Sequence, residues 1–224
     1  GYEAFPDVSR TSDGKLIVVF YEGYAHISNP NQQWPNGGRI CYCISEDEGK
    51  TWSKPDTLYD SPYDDRDPSA TLLADKRMAC SFFIIDHGTN VIISEKEFKN
   101  WIELKPQIIS ILFNVSSPIR ELSNGRLIVG LYGENWANNQ AAGASICSDD
   151  IGKTWHTLSI IDNAGKYLDA ETDIIELKDG VLYAIHRGEG TTMHFTTSID
   201  KGSNWGRTKP LDFVGHCPYL HRSE

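Results

Sequence analysis

The sequence predicts an all-β fold built from repeated antiparallel sheets, and three observations support this prediction. An eight-residue pattern recurs along the chain, turn-forming dipeptides recur upstream of it, and no segment is convincing as a helix. The 224 residues include 19 glycines, 10 prolines, 6 tryptophans, 10 tyrosines and 8 phenylalanines. This composition is typical of aromatic-rich strands joined by many turns.

The eight-residue pattern is Ser-x-Asp-x-Gly-x-Thr-Trp, and it occurs in three good copies. These are residues 45–52, 148–155 and 198–205, the last with Asn204 in place of the threonine, while a decayed copy at 94–101 keeps only the serine and the tryptophan. The four closing tryptophans are 49, 54 and 50 residues apart. A period of about 50 residues is the length of one β-propeller blade.

The motif itself has a structural explanation. Its aspartate can accept hydrogen bonds from amides of its own turn, its glycine can adopt a backbone shape that other residues resist, and its tryptophan can pack the turn against the blade. A metal loop would need more oxygen ligands than one aspartate supplies. We therefore expect these turns to stabilise the fold rather than to perform chemistry.

Upstream of each copy, two apolar runs flank a turn signal. Asp13-Gly14, Asn124-Gly125 and Asp179-Gly180 predict two-residue hairpins, whereas Asp75-Lys76 in the second repeat predicts a different turn. The third strand of each repeat is expected to end at the serine of the motif, which turns into a fourth strand. Four-stranded blades are expected at about residues 1–60, 61–110, 111–165 and 166–212, with the start of a fifth at 213–224.

The charge balance limits the class of partner. Lys and Arg number 21 against 31 Asp and Glu, which gives a formal net charge of −10. Nucleic acids and anionic membranes need a basic face, so neither is expected as a partner. The apolar runs are far shorter than the ~20 residues of a transmembrane helix, and no export leader is expected at the start of the chain.

The five cysteines do not form the pattern of a disulfide framework or a zinc site. Cys41 and Cys43 are expected on one face of a strand, where they cannot easily bridge. Reduced core thiols are expected, which is typical of a reducing compartment. The sequence implies neither a metal nor an organic cofactor.

In these motifs the chain resembles the sialidase (neuraminidase) superfamily and its BNR, or Asp-box, repeats. The resemblance covers nearly the whole chain and implies a six-bladed propeller, of which about four blades would be present and two would follow Glu224. It also implies an enzyme with three arginines that clamp a substrate carboxylate, an aspartate acid/base, and a tyrosine nucleophile assisted by a glutamate. The third arginine and the tyrosine are expected beyond Glu224.

Polar residues flanking the two inner strands of each blade are expected to surround one mouth of the channel. They are Glu3, Asp7, Glu22, Tyr24 and His26; Arg66, Asp67, Asp86 and His87; Ser116, Ser117, Glu134, Asn135 and Trp136; and Glu171, Asp173, His186, Arg187 and His216. Carboxylates, arginines and aromatic rings together are typical of a carbohydrate site. Trp136 and Glu134 are expected to contact the substrate there.

Two residues of the fourth repeat match the superfamily best. The segment 171–177 resembles the strand that bears the family's glutamate, and His186-Arg187 resembles the strand end that bears its second arginine. The resemblance implies that Glu171 is a base or the partner of a nucleophile and that Arg187 clamps the substrate. A hairpin should return both residues to one rim.

Elsewhere the sequence departs from the family pattern. Ala4 stands where the first arginine would be, and the loop from Glu22 to Arg39, which carries the acid/base aspartate in the family, contains no aspartate. Glu22, His26 and Arg39 are the candidate replacements within that loop.

A second pair of candidates lies in the next repeat. Asp67 is a candidate substitute acid, and Arg66 beside it is a candidate substitute clamp. Together with Glu171 and Arg187, this pair favours a sialidase-like glycoside hydrolase that acts on a glycan with a terminal acidic sugar such as sialic acid. The alternatives are a related hydrolase of neutral sugars such as arabinan ends, and a non-catalytic propeller that binds glycan or protein.

Overall fold

The computed structural model describes residues 1–94, 106–135, 140–163 and 170–222. The chain divides into two compact units, residues 1–111 and residues 112–224. Each unit contains two antiparallel sheets whose strands follow one another in sequence order, which is the topology of propeller blades. The all-β prediction is confirmed.

The first unit contains two four-stranded sheets. The strands of the first sheet, in order, are β1 (Tyr2–Arg10), β2 (Leu16–Gly23), β3 (Arg39–Ser45) and β4 (Asp56–Tyr59). Those of the second are β5 (Asp65–Leu72), β6 (Met78–Ile84), β7 (Gly88–Ile93) and β8 (Gln107–Ser110). The degenerate motif copy at 94–101 lies almost wholly outside the described residues.

The second unit repeats this arrangement. Its first sheet contains β9 (Phe113–Asn114), β10 (Arg120–Glu121), β11 (Leu127–Asn135), β12 (Gln140–Ser148) and β13 (His156–Ile160), in the order β10-β11-β12-β13 with β9 also paired to β11. Its second contains β14 (Thr172–Glu176), β15 (Leu182–His186), β16 (His194–Ser198) and β17 (Lys209–Pro210). Residues 211–222 contain no strand, and their assignment to a fifth blade stays a prediction.

Apolar side chains on facing sheets form the core of each unit. In β2 the burial alternates with a period of two, so that Ile17, Val19 and Tyr21 are fully buried. The core of the first unit joins β2 to β6 through residues such as Phe82. In the second unit, the core includes Leu182 and covers part of the Asp-box tryptophan Trp205.

The hairpins between the first two strands of each blade differ from the predicted two-residue turns. In each, the amide of the last turn residue donates to a carbonyl three residues earlier, as Gly14 does to Thr11 at 3.0 Å. A single residue takes a positive φ, which gives a three-residue loop with a bulge.

The prediction that the Asp75-Lys76 turn differs was wrong. Lys76 adopts φ 69° and donates to the Leu73 carbonyl at 2.9 Å, which reproduces the hydrogen bond of the glycine-containing turns. The second blade thus forms the shared hairpin at the cost of a left-handed lysine.

The three Asp-box turns have equivalent hydrogen bonds, with the Asn204 side-chain amide replacing the threonine hydroxyl in the third. In the second copy, Ser148 Oγ donates to Asp150 at 2.9 Å and accepts from the Gly152 amide at 2.8 Å, while Asp150 accepts from the Thr154 amide and hydroxyl at 2.8 and 2.7 Å. Hydrogen bonds from Thr154 lower the pKa of Asp150 to about 2. The turn therefore uses its aspartate internally.

The buried serine of this turn provides a stability test. Ser148→Ala leaves the amide of buried Gly152 without its acceptor, so we expect the free energy of unfolding to fall by about 1–3 kcal/mol. Urea titration of the two proteins measures the difference. Ser12→Ala, at an exposed hairpin position, is the matched control, and an equal effect of both substitutions would contradict the role of the Asp-box serine.

All five cysteines are free thiols; Cys41, Cys43, Cys80 and Cys147 are buried and Cys217 is exposed. Burial raises the pKa of the Cys41 thiol to about 12. The buried four therefore act as core residues, as expected. Among the described residues, no helix has the length and apolar character that a membrane crossing requires.

Candidate functional site

The opening strands β1 and β5 share a bulge in which a left-handed residue precedes a proline. The φ angle is 52° at Phe5 and 49° at Asp67, and the pairing register shifts at both points. The residues just before the bulges, Ala4 and Arg66, thus hold equivalent positions in the two blades. The first blade thus has an alanine at this position and the second blade has an arginine. Bulges of this kind commonly redirect side chains near active sites.

The Arg66 side chain lies in an aromatic cage. Its guanidinium carbon is 5.3 Å from the centre of the Phe5 ring, 5.8 Å from Tyr21 and 5.6 Å from Phe83. Only 7% of the side chain is exposed. The aromatic faces stabilise the cation and hold the guanidinium in place.

This guanidinium has few polar partners for a buried cation. Within the described chain, its one hydrogen-bond contact joins Nη2 to His26 Nε2 at 3.4 Å, and its Nε atom is buried without a hydrogen-bond partner. Among the residues that the structure describes, its one ion pair is long, at 3.9 Å from Nε to Asp67 Oδ1. Buried cations normally carry close counter-charges, and Arg66 departs from this rule because the carboxylate paired with it is 3.9 Å away.

Polar contacts to a buried carboxylate fix the loop that follows β2. Asp64 accepts from the Tyr21 hydroxyl and from the Ser28 amide, both at 2.9 Å, and is 1% exposed. Burial is the main reason that the pKa of Tyr21 is raised well above its ordinary value. The wall of the Arg66 cage and the loop after β2 are therefore held by one carboxylate.

His26 and Glu22, two candidates predicted in the segment from Glu22 to Arg39, have different surroundings. His26 is exposed and lies in edge-to-face contact with Phe5, at 5.4 Å between ring centres. Glu22 is ion-paired with Arg39, with its Oε2 2.6 Å from Nη2, and also accepts from the Cys41 thiol at 3.2 Å. Although burial opposes ionisation, these hydrogen bonds hold the pKa of Glu22 below its ordinary value. Glu22 is thus an ionised partner of Arg39, which does not suit it to donate a proton.

In the second unit, the β14–β15 hairpin brings Glu171 and Arg187 together. The Arg187 amide donates to the Glu171 carbonyl at 3.0 Å, and the two side chains form an ion pair at 3.4 Å. Glu171 also accepts from the Cys217 amide at 3.0 Å, and Arg187 donates to Glu189 at 2.9 Å. The predicted pair exists, and Arg187 already contacts two carboxylates.

Two predicted rim aspartates have structural roles instead. Asp173 is fully buried, ion-paired with Arg120 at 2.6 Å, and accepts from the Leu220 amide at 2.6 Å. Burial raises its pKa although Arg120 opposes the shift. Asp7 likewise accepts from the Ala70 amide of the next blade at 3.0 Å. The placement of Asp173 on the rim was wrong, because Arg120 and the Leu220 amide hold it inside. The half-buried Asp7 joins β1 to β5, the opening strands of neighbouring blades in the first unit.

The third repeat gives little information about the site. Trp136 lies outside the described residues. Glu134 is described only by its backbone, which pairs with Ala141 across β11 and β12. Their predicted contacts with substrate stay predictions. No group of three or more His, Cys, Asp and Glu side chains in the described segments is arranged to hold a metal ion.

Two buried histidines face each other beside Arg187. His186 and His194 are opposite each other across β15 and β16, and each is 1% exposed. Burial, with a smaller contribution from His194, lowers the pKa of His186 to about 3. His186 is therefore a neutral core residue and not the polar rim group that the sequence predicts.

This histidine predicts a pH dependence of stability. Between about pH 6.5 and 3 the unfolded chain binds a proton that His186 in the folded chain does not, so its contribution to stability falls as the pH falls, by roughly 1.4 kcal/mol per pH unit. His186→Gln should remove that slope in urea titrations at several pH values. His221→Gln, at an exposed position, is the matched control, and an unchanged slope in His186→Gln would refute the prediction.

Asp65 contributes to the pH dependence of stability with the opposite sign. It is fully buried, and burial raises its pKa to about 7. Its contribution is therefore present at acid pH and lost as the pH rises through about 7. The contribution of His186 is therefore obtained by subtracting the pH dependence of the unfolding free energy of His186→Gln from that of the parent protein.

Several residues of the site carried no sequence signal. Asp64 and Tyr21 are 43 residues apart in the chain, and the aromatic cage combines rings from three strands. The equivalence of Ala4 and Arg66 was detectable, because each stands two residues before a proline that opens a repeat. Trp34, which lines a pocket beside Arg39, was not singled out either.

Comparison with known proteins agrees with this fold. A family model described as a BNR repeat-like domain matches residues 74–215. The chain is 29% identical over 136 residues to an anhydrosialidase of Macrobdella decora, a match that covers 56% of this chain but only 17% of that protein.

Solved structures give the same result. A protein of unknown function from Dyadobacter fermentans superimposes with a TM-score of 0.79 at 19% identity, covering 96% of this chain and 70% of that one. A Hadza microbial sialidase superimposes with a TM-score of 0.73 at 14% identity, covering 94% and 47%. At these identities the similarity establishes the propeller fold, and the chain spans about half of the sialidase and a smaller share of the curated relative.

Proposed function

The chain belongs to the BNR repeat-like domain family, and from this premise we propose that the protein is a glycoside hydrolase of the sialidase type. Its proposed substrate is a glycan with a terminal sugar that carries a carboxylate. The single observation that supports this substrate class is the buried Arg66 guanidinium: its ion pair with Asp67 is long, and its Nε has no hydrogen-bond partner in the described part of the chain.

Arg66 is the proposed receptor of the acidic group. A planar guanidinium can donate two parallel hydrogen bonds to a carboxylate, and the aromatic cage reduces the freedom lost on binding. Asp67, whose Oδ1 lies 3.9 Å from Arg66 Nε, is the proposed proton donor to the leaving oxygen. Its positive φ of 49° is the kind of backbone strain that clusters at functional sites.

Glu171 is the proposed proton acceptor. Its ion pair with Arg187 and its hydrogen bond from the Cys217 amide hold the carboxylate in one position. A carboxylate fixed in this way can accept a proton from a neutral nucleophile or from water. Arg187 orients Glu171 in this proposal.

A neutral sugar is the second candidate substrate, and one observation favours it. Arg187 already contacts Glu171 and Glu189, so a substrate carboxylate would have to compete with two protein carboxylates. A hydrolase of arabinan ends would need a carboxylate pair and no arginine clamp.

Turnover of matched aryl glycosides tests the proposal. The release of the phenol from an aryl α-sialoside and from an aryl α-L-arabinofuranoside is compared under identical conditions. We expect kcat/KM to favour the sialoside by at least about tenfold, which is ~1.4 kcal/mol of transition-state stabilisation. Preference for the arabinofuranoside would support the neutral alternative, and binding of either sugar without turnover would support a non-catalytic propeller.

A further inference from the structure

A pocket in the first unit lies outside the site proposed above. Its volume is about 310 Å³, and its lining includes Gln33, Trp34, Asn36, Arg39 and Asp60. This volume is at the lower end of the ~300–1,000 Å³ range of ligand pockets, which suits one small ring. The pocket therefore has the size of a site for a single monosaccharide unit.

The backbone that carries the indole of this pocket is held by its own loop. Asn31 Oδ1 accepts from the amides of Gln33 and Trp34 at 2.9 and 3.0 Å, and the Asn31 amide donates to the Trp34 carbonyl at 2.9 Å. The Tyr24 ring lies 6.0 Å from the Trp34 ring. This local network fixes the backbone at Trp34 and reduces the entropy lost when a ligand packs on the indole.

The loop is also anchored to the rest of the unit. The Gly38 amide donates to the Ser28 carbonyl at 3.0 Å, and Ser28 is held by Asp64. At Gly37, where φ is 76°, an added Cβ would approach the Ser28 carbonyl oxygen to 2.4 Å. Close backbone packing thus positions both ends of the segment that carries Trp34.

The charge of the lining distinguishes this pocket from the Arg66 cage. Arg39 donates from Nε to Glu22 at 2.7 Å and its Nη2 lies 2.6 Å from the same carboxylate, so its charge is neutralised. Asp60 is exposed and adds a negative charge to the wall. An anionic ligand would be repelled, whereas the hydroxyl groups of an uncharged sugar could donate to Asp60 and accept from Arg39.

We propose that this pocket, named here the Trp34 pocket, binds a neutral monosaccharide unit. The apolar face of the sugar ring packs on the indole, and its hydroxyl groups bond to the Asp60 carboxylate and to the Gln33 and Asn36 amides. A flat aromatic face combined with planar polar groups matches the alternating apolar and polar surface of a sugar. The site does not depend on the reaction proposed above.

Indole resonances provide the test. Protein with ¹⁵N-labelled tryptophan is titrated with lactose and with arabinobiose to about 50 mM, well above a millimolar Kd, and the Trp34 resonance is assigned from its loss in Trp34→Phe. We expect saturable shifts of the Trp34 signal with at least one neutral disaccharide. The absence of a shift with both would overturn the proposal.

Variants separate this site from the acidic-sugar site. Trp34→Ala should weaken disaccharide binding, followed by saturation-transfer NMR, by at least about tenfold, and Asp60→Asn by about two- to tenfold. Trp52→Ala, at the opposite end of β3, is the control and should retain the parental affinity. Unchanged affinity in both Trp34→Ala and Asp60→Asn would overturn the proposal.

Acidic sugar serves as the counter-probe. N-acetylneuraminic acid should not shift the Trp34 signal saturably, whether or not it binds elsewhere on the protein. An affinity of the Trp34 pocket for this sugar equal to that for lactose would overturn the assignment to a neutral ligand. Failure of the Arg66 proposal would leave the lactose result unaffected, so the two failures are distinguishable.

Discussion

Arg66→Gln should lower kcat/KM for an aryl sialoside by about 10²–10³-fold, because two charge-assisted hydrogen bonds to the substrate carboxylate are lost. Turnover of a neutral aryl glycoside should change far less. Arg66→Lys should give an intermediate loss, since lysine keeps the charge but not the bidentate geometry.

The buried location of Arg66 requires a control for folding. Glutamine leaves space among three aromatic rings, so the thermal unfolding of each variant is measured beside its kinetics. Arg77→Gln, which removes a guanidinium bonded to Asp75 in the turn at the far end of the β5–β6 hairpin, should leave kcat/KM unchanged. An equal loss toward acidic and neutral substrates in Arg66→Gln would show that the cage is structural.

Glu171→Gln should lower kcat by about 10²–10⁴-fold with little change in KM, as the loss of a general base does. Glutamine retains an oxygen that can accept from the Cys217 amide, so the local fold should persist. The charge facing Arg187 is lost, and with it the ability to accept a proton.

Glu189→Gln is the matched control for this effect. Glu189 also contacts Arg187 but is exposed, so its substitution should change kcat by no more than a few fold. If Glu171→Gln keeps the parental kcat, Glu171 is a structural partner of Arg187. The assignment of the proton acceptor to Glu171 would then fail.

The sequence predicts the fold better than it predicts the site, for a physical reason. The Asp-box depends on contacts within a few residues, such as those from Asp150 to Thr154, so its pattern is visible in the chain. The Lys76 turn shows a limit of this reasoning, because the packing of a whole hairpin can impose a left-handed backbone on a residue that disfavours it.

Contacts between distant strands account for the errors in the site. Asp173 was placed on the rim from its position in the repeat, but Arg120 and the Leu220 amide hold it inside. Hairpin geometry, by contrast, was enough to bring Glu171 and Arg187 together. The Arg66 cage could not be predicted, because its three rings come together only when three strands pair in the correct register. No local sequence pattern shows that register.

Titration of N-acetylneuraminic acid against the parent protein and Arg66→Gln, followed by isothermal calorimetry, tests the central claim most directly. The account predicts saturable binding to the parent and at least about tenfold weaker binding to Arg66→Gln, with unfolding temperatures showing that both are folded. Equal affinity in the two folded proteins would contradict the assignment of Arg66 as the receptor of an acidic sugar.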